Sequence, residues 1–221
     1  MRYGKVDFDV AGDWATRAPE SDGPIYMVNF MKYRAVADYE GVRGASGDEA
    51  TVTGREADDL YAPFEVLKTI GAEIAFVGDV VSEGSPGEWD RMAIVRYASR
   101  RSFIDMQNRS DFKQKHVHKE AGMDYTICLG AVPNGTHADI ARRDFVTFDI
   151  SSSAQDLVPD SDVARLSVEG TILGDGRRWN DLTMTWSSHQ PGVVHRFERG
   201  GDRMVVVTRA SIDRMGKLLS E

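Results

Sequence analysis

The stretch Ile25–Tyr33, with the sequence IYMVNFMKY, decides the fold. Successive side chains of a strand point to opposite faces. Here both faces are apolar, with Ile25 and Met27 on one and Val28 and Phe30 on the other. A strand of this kind is covered on both sides. It therefore predicts a sheet that lies between two layers of structure.

Helix and strand signals alternate along the rest of the first part of the chain. Further strands are predicted at Ile74–Val81, Trp89–Tyr97 and Met123–Val132. The first helical segment begins at a capping box formed by Thr53 and Glu56 and is interrupted at Pro63. The second is a pair of short helices that Ser99 and Ser110 can cap. The order β-α-β-β-α-β is that of the ferredoxin-like, or split βαβ, unit.

From residue 144 onward the pattern changes to strands separated by glycine-rich turns. Strands are predicted at Phe145–Ile150, Ala164–Leu173, Arg178–Ser187, Val193–Glu198 and Arg203–Arg209. A closing helix is predicted over Ala210–Leu219. We therefore expect a fold of class α+β, in which a β-rich antiparallel meander with a C-terminal helix follows the ferredoxin-like domain. The predicted parts are an N-terminal extension (1–22), the ferredoxin-like domain (23–133) and the β-rich region (143–221).

The composition excludes several classes of protein. The 221 residues include 27 Lys and Arg against 35 Asp and Glu, and this net charge of −8 argues against nucleic-acid binding. No apolar run approaches the ~18–20 residues needed to span a bilayer, and Asp7 and Asp9 are unlike a signal peptide. We therefore expect a cytoplasmic protein with no membrane partner. The single cysteine, Cys128, excludes an internal disulfide and a multi-cysteine metal site, and no cofactor is assigned.

Three segments of the first part resemble a known family. They are Ile25–Arg34 (IYMVNFMKYR), Trp89–Arg101 (WDRMAIVRYASRR) and Asp111–Met123 (DFKQKHVHKEAGM). Together they are similar to the domain-of-unknown-function family 1330, which belongs to the dimeric α/β-barrel superfamily. The resemblance covers about residues 23–132. It implies a ferredoxin-like protomer whose sheet packs against a second copy to form a barrel.

The second apolar face of Ile25–Tyr33 needs a cover other than the helices. That cover is either a partner protomer or the C-terminal part of the same chain. We expect a homodimer, because two-fold symmetry is the commonest form of self-association.

Asn29 and His116 are the candidate catalytic residues. Asn29 lies in an apolar face between Met27 and Met31, where a buried amide requires hydrogen-bond partners. It either donates to a substrate carbonyl in the cleft between sheet and helices or binds a neighbouring loop backbone. His116 follows Phe112 by four residues, so both lie on one helix face, which should turn toward the sheet. With an ordinary pKa of about 6.5, it is either a general base or a packed structural histidine.

A run of basic residues, Arg96–Lys119, is the candidate site for an acidic small molecule. Arg100 lies at the start of a helix with free amide groups near Ser99, which favours an anion. Lys32 and Tyr61 would join this substrate-binding site if the first strand and the first helix flank it. The alternative is that the basic residues form a solvated helix face.

The family resemblance implies an enzyme, and the residues leave a second class of function open. Relatives in the superfamily include cofactor-independent monooxygenases and isomerases that act on small aromatic or lactone-like substrates. In such a site Asn29 would orient the substrate and His116 would move a proton; some members instead bind haem through a histidine on the equivalent helix. The other class is a non-catalytic protein for ligand binding or assembly, whose cleft Met31, Phe64 and Phe103 would fill.

Overall fold

The computed structural model describes residues 4–46, 51–83, 88–135, 140–153, 162–192 and 201–221. Its strands, in chain order, are β1 (Lys5–Val6), β2 (Ile25–Tyr33), β3 (Glu73–Glu83), β4 (Arg91–Tyr97), β5 (Met123–Pro133), β6 (Phe145–Ser151), β7 (Val163–Gly174), β8 (Asp181–Ser187) and β9 (Arg203–Asp213). Its helices are α1 (Phe8–Thr16), α2 (Gly54–Tyr61), α3 (Phe64–Thr69), α4 (Arg100–Asn108), α5 (Ser110–Gly122) and α6 (Met215–Ser220), with a 3₁₀ turn at Pro19–Ser21. Among these described residues, no helix is both long and apolar enough to cross a membrane.

The strands form one antiparallel sheet that closes on itself. Their order is β1-β7-β5-β2-β4-β3-β9-β6-β8, and β7 also pairs with β8. Strands β2 to β9 therefore make an eight-stranded barrel, and β1 is added at one end of β7 through Lys5 and Gly174. The order β5-β2-β4-β3 in the first half is repeated as β9-β6-β8-β7 in the second.

The predicted fold class, a ferredoxin-like domain of a dimeric α/β barrel followed by a separate antiparallel meander, is wrong. Strands of both parts share one closed sheet, since β3 pairs with β9 and β5 pairs with β7. The sequence pattern shows which residues form strands, but the choice of pairing partner depends on contacts between distant segments. The second apolar face of β2 is thus covered by the C-terminal strands of the same chain. The expected homodimer is not needed to close the barrel and stays a prediction.

Alternation along β2 explains both layers of the core. Tyr26, Val28 and Phe30 point into the barrel, where they join a cluster of fully buried side chains contributed by both halves of the chain. Ile25 and Met27 point outward and pack under the helices. The barrel interior is therefore a packed core, and space for a ligand is found on the outer, helix-covered side.

One end of the barrel is closed by α6. Met215 and Leu218 belong to the interior cluster, and the Tyr26 hydroxyl donates a hydrogen bond of 2.9 Å to the carbonyl oxygen of Leu218. The predicted closing helix over Ala210–Leu219 begins later than expected because β9 continues to Asp213. The predicted strand Val193–Glu198 lies outside the described residues.

The other helices lie against the outer face of the barrel. Capping residues and a proline determine where several of them begin or end. Thr53 and the residue three positions later form the expected capping box at α2. Pro63 separates α2 from α3, as its missing N–H and fixed ring predict. Ser99 caps α4, but the predicted cap by Ser110 is wrong: Ser110 is the first helical residue of α5, and Arg109 precedes it without a side-chain cap.

Candidate functional site

A cavity of about 980 Å³ lies between the outer face of the barrel and the helices. Side chains of β2, β4 and β5 line it together with residues of α1 to α5, and β1, β3, β7 and β9 contribute further lining residues. Most of the lining is apolar, and the polar lining groups include Asn29, Tyr61, His116, Lys119 and Cys128. This combination of apolar walls and a few converging polar groups is typical of small-molecule sites.

Strand β2 and helix α5 supply three of the polar groups: Asn29, His116 and Lys119. In β2, alternation places Asn29 on the same outward face as Met27 and Met31. In α5, Phe112, His116 and Lys119 all line the cavity. Their spacing of four and three residues places them on one helix face.

His116 lies in an aromatic and largely buried setting. Its ring centroid is 5.2 Å from that of Phe112 and 6.0 Å from that of Tyr61. Burial, and then the positive charge of Lys119, lower the pKa of His116 from 6.5 to about 4. The imidazole is therefore neutral at neutral pH, so its unprotonated nitrogen can accept a proton.

Lys119 is a buried ammonium group in the same cavity. The residue is only 9% exposed, and its Nζ atom lies 3.7 Å from the sulfur of Met31 and 5.0 Å from the ring centroid of Tyr61. Within the described parts of the chain, no carboxylate forms an ion pair with it. Sequence reasoning counted Lys119 only as one of several basic residues; its place three positions after His116 was the signal that could have found it.

Asn29 and Tyr61 add uncharged hydrogen-bonding groups. The Asn29 amide donates a bond of 3.1 Å to the carbonyl oxygen of Met27 in its own strand. Its side-chain oxygen and the Tyr61 hydroxyl have no hydrogen-bond partner among the described residues. Burial, and then the charge of Asp58, raise the pKa of Tyr61, so its hydroxyl stays protonated and can donate. Both side chains can therefore bind a ligand.

Cys128 lies on β5 and also lines the cavity. Burial raises the pKa of its thiol from 9.0 to about 12, although the charge of Lys119 acts in the opposite direction. The neutral thiol is a poor nucleophile at neutral pH. This placement agrees with a buried, unreactive cysteine.

A charged cluster lies at one side of the cavity. The guanidinium of Arg91 forms ion pairs with Asp58 at 3.4 Å, Asp59 at 3.3 Å and Asp79 at 3.0 Å. The Tyr33 hydroxyl donates a further hydrogen bond of 2.7 Å to Asp58. These partners come from α2, β2, β3 and β4, so no spacing in the sequence could have grouped them.

Two of the predicted substrate-binding residues lie outside the cavity lining. Lys32 forms an ion pair of 3.0 Å with Asp90. Arg100 is 4% exposed and is held by Asp22 and Glu169, with its Nε donating a 2.6 Å bond to Glu169. The structure thus brings Asn29, Tyr61 and His116 together and leaves Lys32 and Arg100 apart from them. Of the three predicted substrate-binding residues, Lys32, Tyr61 and Arg100, only Tyr61 lines the cavity.

No metal site is evident in the parts of the chain that the structure describes. No group of three or more His, Cys, Asp or Glu side chains is placed to hold a metal ion there. Haem bound through His116 stays an untested alternative from the sequence.

Comparisons with known proteins add the following findings. No protein-family model matches the sequence, and no curated protein matches it. Two solved structures of the RPA0582 protein, a protein of unknown function from Rhodopseudomonas palustris, are similar over 61% of this chain and 98% and 99% of theirs, with 24% and 22% identity and a TM-score of 0.49. A protein from Lactobacillus acidophilus described as a "putative monooxygenase" covers 86% of this chain and 95% of its own, with 10% identity and a TM-score of 0.41. These likenesses carry no functional conclusion, and the resemblance to family 1330 stays a prediction.

Proposed function

We propose that the protein is an enzyme that binds a small, largely apolar substrate in this cavity and transfers a proton from it to His116. The observation that supports the proposal is the convergence of Asn29, Tyr61 and His116 on one cavity of about 980 Å³ with mostly apolar walls. A perturbed titratable group inside such a cavity is a functional-site signal.

The proposed step is removal of a proton from a substrate atom next to a carbonyl group. His116 is neutral at neutral pH, so a ring nitrogen takes the proton. The electron pair left behind moves onto the substrate oxygen, which becomes an enolate or phenolate. Asn29 and Tyr61 carry N–H and O–H groups that can donate to this oxygen as its charge develops. The new anion also offsets the free-energy cost of a buried imidazolium.

Both reaction classes expected from the sequence begin with this step. An isomerase returns the proton to a different atom of the substrate. A cofactor-independent monooxygenase uses molecular oxygen as co-reactant, which accepts electrons from the substrate anion. The family resemblance therefore supports the same first step for either class.

The filled-cleft alternative is less well supported. A non-catalytic assembly protein would have Met31, Phe64 and Phe103 packed into the cleft. All three side chains line an open cavity instead, and Phe64 is 54% exposed. A ligand carrier without catalysis is the remaining alternative, and it predicts binding without turnover.

The test has a binding part and a reaction part. Aromatic acids, phenols and lactones are first screened by thermal shift, because a ligand that binds only the folded state raises the melting temperature. Compounds that bind are then incubated with the protein in D₂O, and exchange of substrate hydrogen for deuterium is followed by NMR.

We expect His116→Gln to keep binding and to lower the exchange rate by about 100-fold or more. The matched control is His118→Gln on the same helix, whose ring accepts or donates a 2.8 Å hydrogen bond with the Tyr39 hydroxyl and does not line the cavity. Unchanged exchange in His116→Gln would remove His116 from the mechanism. Ligand binding with no exchange in the wild-type protein would identify a carrier.

A further inference from the structure

Lys119 differs from the half-buried Arg91 and the buried Arg100 in having no counter-charge among the described residues. Arg91 contacts three carboxylates and Arg100 contacts two. Lys119 is 9% exposed, and no carboxylate of the described residues pairs with it. A buried charge without a partner is unfavourable because the ion loses its hydration and gains no attraction in return. A side chain of this kind suggests that a partner is supplied from elsewhere.

The contacts of Lys119 leave its donors available. Its ammonium group has three N–H donors. The neighbours of Nζ are the Met31 sulfur at 3.7 Å and the Tyr61 ring at 5.0 Å, which are both weak acceptors. Both neighbours line the cavity, as Lys119 itself does. The ammonium group is therefore placed at the surface of the cavity with no strong acceptor among the described residues.

The acidic residues that line the cavity form no ion pair with Lys119. Asp58 and Asp59 line the cavity but form ion pairs with Arg91. Asp58 also accepts the hydrogen bond from Tyr33. Two guanidinium groups, Arg91 and Arg55, face three carboxylates at that side, so it keeps an excess of negative charge, but none of these carboxylates forms an ion pair with Lys119.

We infer that Lys119 binds an anionic oxygen of the ligand, so that the cavity selects small, largely apolar monoanions. This inference rests on the proposed function only for the use of the cavity; it does not require that a reaction takes place. Two sources of the anionic oxygen fit the same geometry: a carboxylate already present on the ligand, or an enolate or phenolate formed when the ligand loses a proton.

Three bicyclic probes distinguish these sources. The 2-naphthoate ion carries a carboxylate, 2-naphthamide has nearly the same shape without the charge, and 2-naphthol is neutral in solution at pH 7. We expect calorimetric titration of the full chain to show that 2-naphthoate binds at least about tenfold more tightly than 2-naphthamide, as one charge-assisted contact provides. If 2-naphthol binds with loss of its proton, the absorption band of the naphtholate ion appears on binding.

The test variant is Lys119→Met, which keeps a flexible side chain of similar length and removes the charge. It also removes a buried ion that no described carboxylate pairs with, so we expect it to fold. Its affinity for 2-naphthoate should fall by about tenfold or more, and its affinity for 2-naphthamide should stay within about twofold. The matched control is Lys113→Met, an exposed lysine on the same helix, which should change neither affinity.

Each other outcome contradicts the inference in a recognisable way. Equal binding of the acid and the amide, or tight binding of 2-naphthoate by Lys119→Met, overturns the role of Lys119 and leaves the proposed enzyme standing. If a neutral lactone binds but neither 2-naphthoate nor the naphtholate ion does, the role of Lys119 is likewise overturned and the proposed enzyme stands. Preference for the anion supports the inference, and if no bound compound that carries a hydrogen next to a carbonyl group exchanges it, the proposed catalysis is contradicted. Failure of every probe to bind contradicts both.

Discussion

Gly54 and Gly122 bring the start of α2 and the end of α5 into backbone contact. A Cβ atom on Gly54 would lie 2.3 Å from the carbonyl oxygen of Gly122, and one on Gly122 would lie 2.5 Å from that of Gly54. Arg34 joins the contact, since its backbone N–H donates to Gly122 and its carbonyl oxygen accepts from Gly54. Because α2 carries Tyr61 and α5 carries His116, this contact fixes the distance between two sides of the cavity.

Gly54→Ala should destabilise the protein and move α2 away from α5. The clash is with backbone atoms of Gly122 and Arg34, which cannot rotate away as a side chain can. We expect a loss of about 1–3 kcal/mol in the free energy of unfolding, as for other overpacked sites. Urea unfolding measures this change, and the affinity for a cavity ligand should fall with it.

Gly12→Ala is the control for this prediction. Gly12 lies within α1, and a Cβ atom there would meet no atom within 4 Å. Replacement of an unstrained helical glycine by alanine should stabilise the protein by about 0.5–1 kcal/mol. Equal effects of the two substitutions would contradict the assigned backbone contact.

His116 should make the stability of the protein depend on pH. Its pKa in the folded state is about 4, whereas the unfolded chain has a value near 6.5, so the unfolded state binds more protons between these values. The contribution to stability is complete above about pH 6.5 and is lost as the pH falls toward 4. Its full size is on the order of 3 kcal/mol.

The measurement is the free energy of unfolding in urea between pH 4 and 7, for the wild type and for His116→Phe. Phenylalanine has no proton to bind, so the difference between the two proteins should change across this window. A difference that is constant with pH would contradict the buried, neutral state of His116. The same variant should bind a cavity ligand without supporting hydrogen exchange.

Cys128 should react slowly with thiol reagents, and a cavity ligand should slow it further. Its pKa of about 12 means that the thiolate is scarce near neutral pH, so the alkylation rate should increase about tenfold per pH unit up to the limit of protein stability. Because Cys128 is the only cysteine, mass spectrometry of the intact protein with iodoacetamide reports this site alone. Protection by 2-naphthoate would place the ligand beside Cys128, and fast alkylation unaffected by any bound ligand would contradict this placement.

The sequence predicted local features better than it predicted which strands pair or which charged side chains are buried. The interruption at Pro63 and the cap at Thr53 depend on a few neighbouring residues, and the structure shows both. The pairings of β3 with β9 and β7 with β8, which close the barrel, join segments far apart in the chain and leave no local pattern. The sequence left open whether the basic run that includes Lys119 binds an acidic molecule or forms a solvated helix face; only the packed structure shows that its helix turns Lys119 inward.

The partners of Arg100 explain why sequence reasoning placed this residue in a substrate site. An arginine beside free helix amides is typical of an anion site, and the anions here are the protein's own Asp22 and Glu169, which lie 78 and 69 residues away. The Asp22 carboxylate also accepts hydrogen bonds from the backbone N–H groups of Arg100 and Arg101. The ligand that the sequence pattern indicated is therefore supplied from within the chain.

Arg100→Met should consequently lower stability rather than ligand affinity. It leaves the Asp22 carboxylate, which is 4% exposed, without its guanidinium partner, and breaking a buried ion pair in this way costs about 3–5 kcal/mol. Arg101→Met is the control, because Arg101 is exposed and only its backbone N–H, which the substitution keeps, contacts Asp22. Urea unfolding should separate the two variants by several kcal/mol, while the folded fraction of each should bind 2-naphthoate as the wild type does. The opposite result is an Arg100→Met variant that is as stable as the wild type but binds 2-naphthoate more weakly. It would contradict the structural role of Arg100 and support its predicted role in substrate binding.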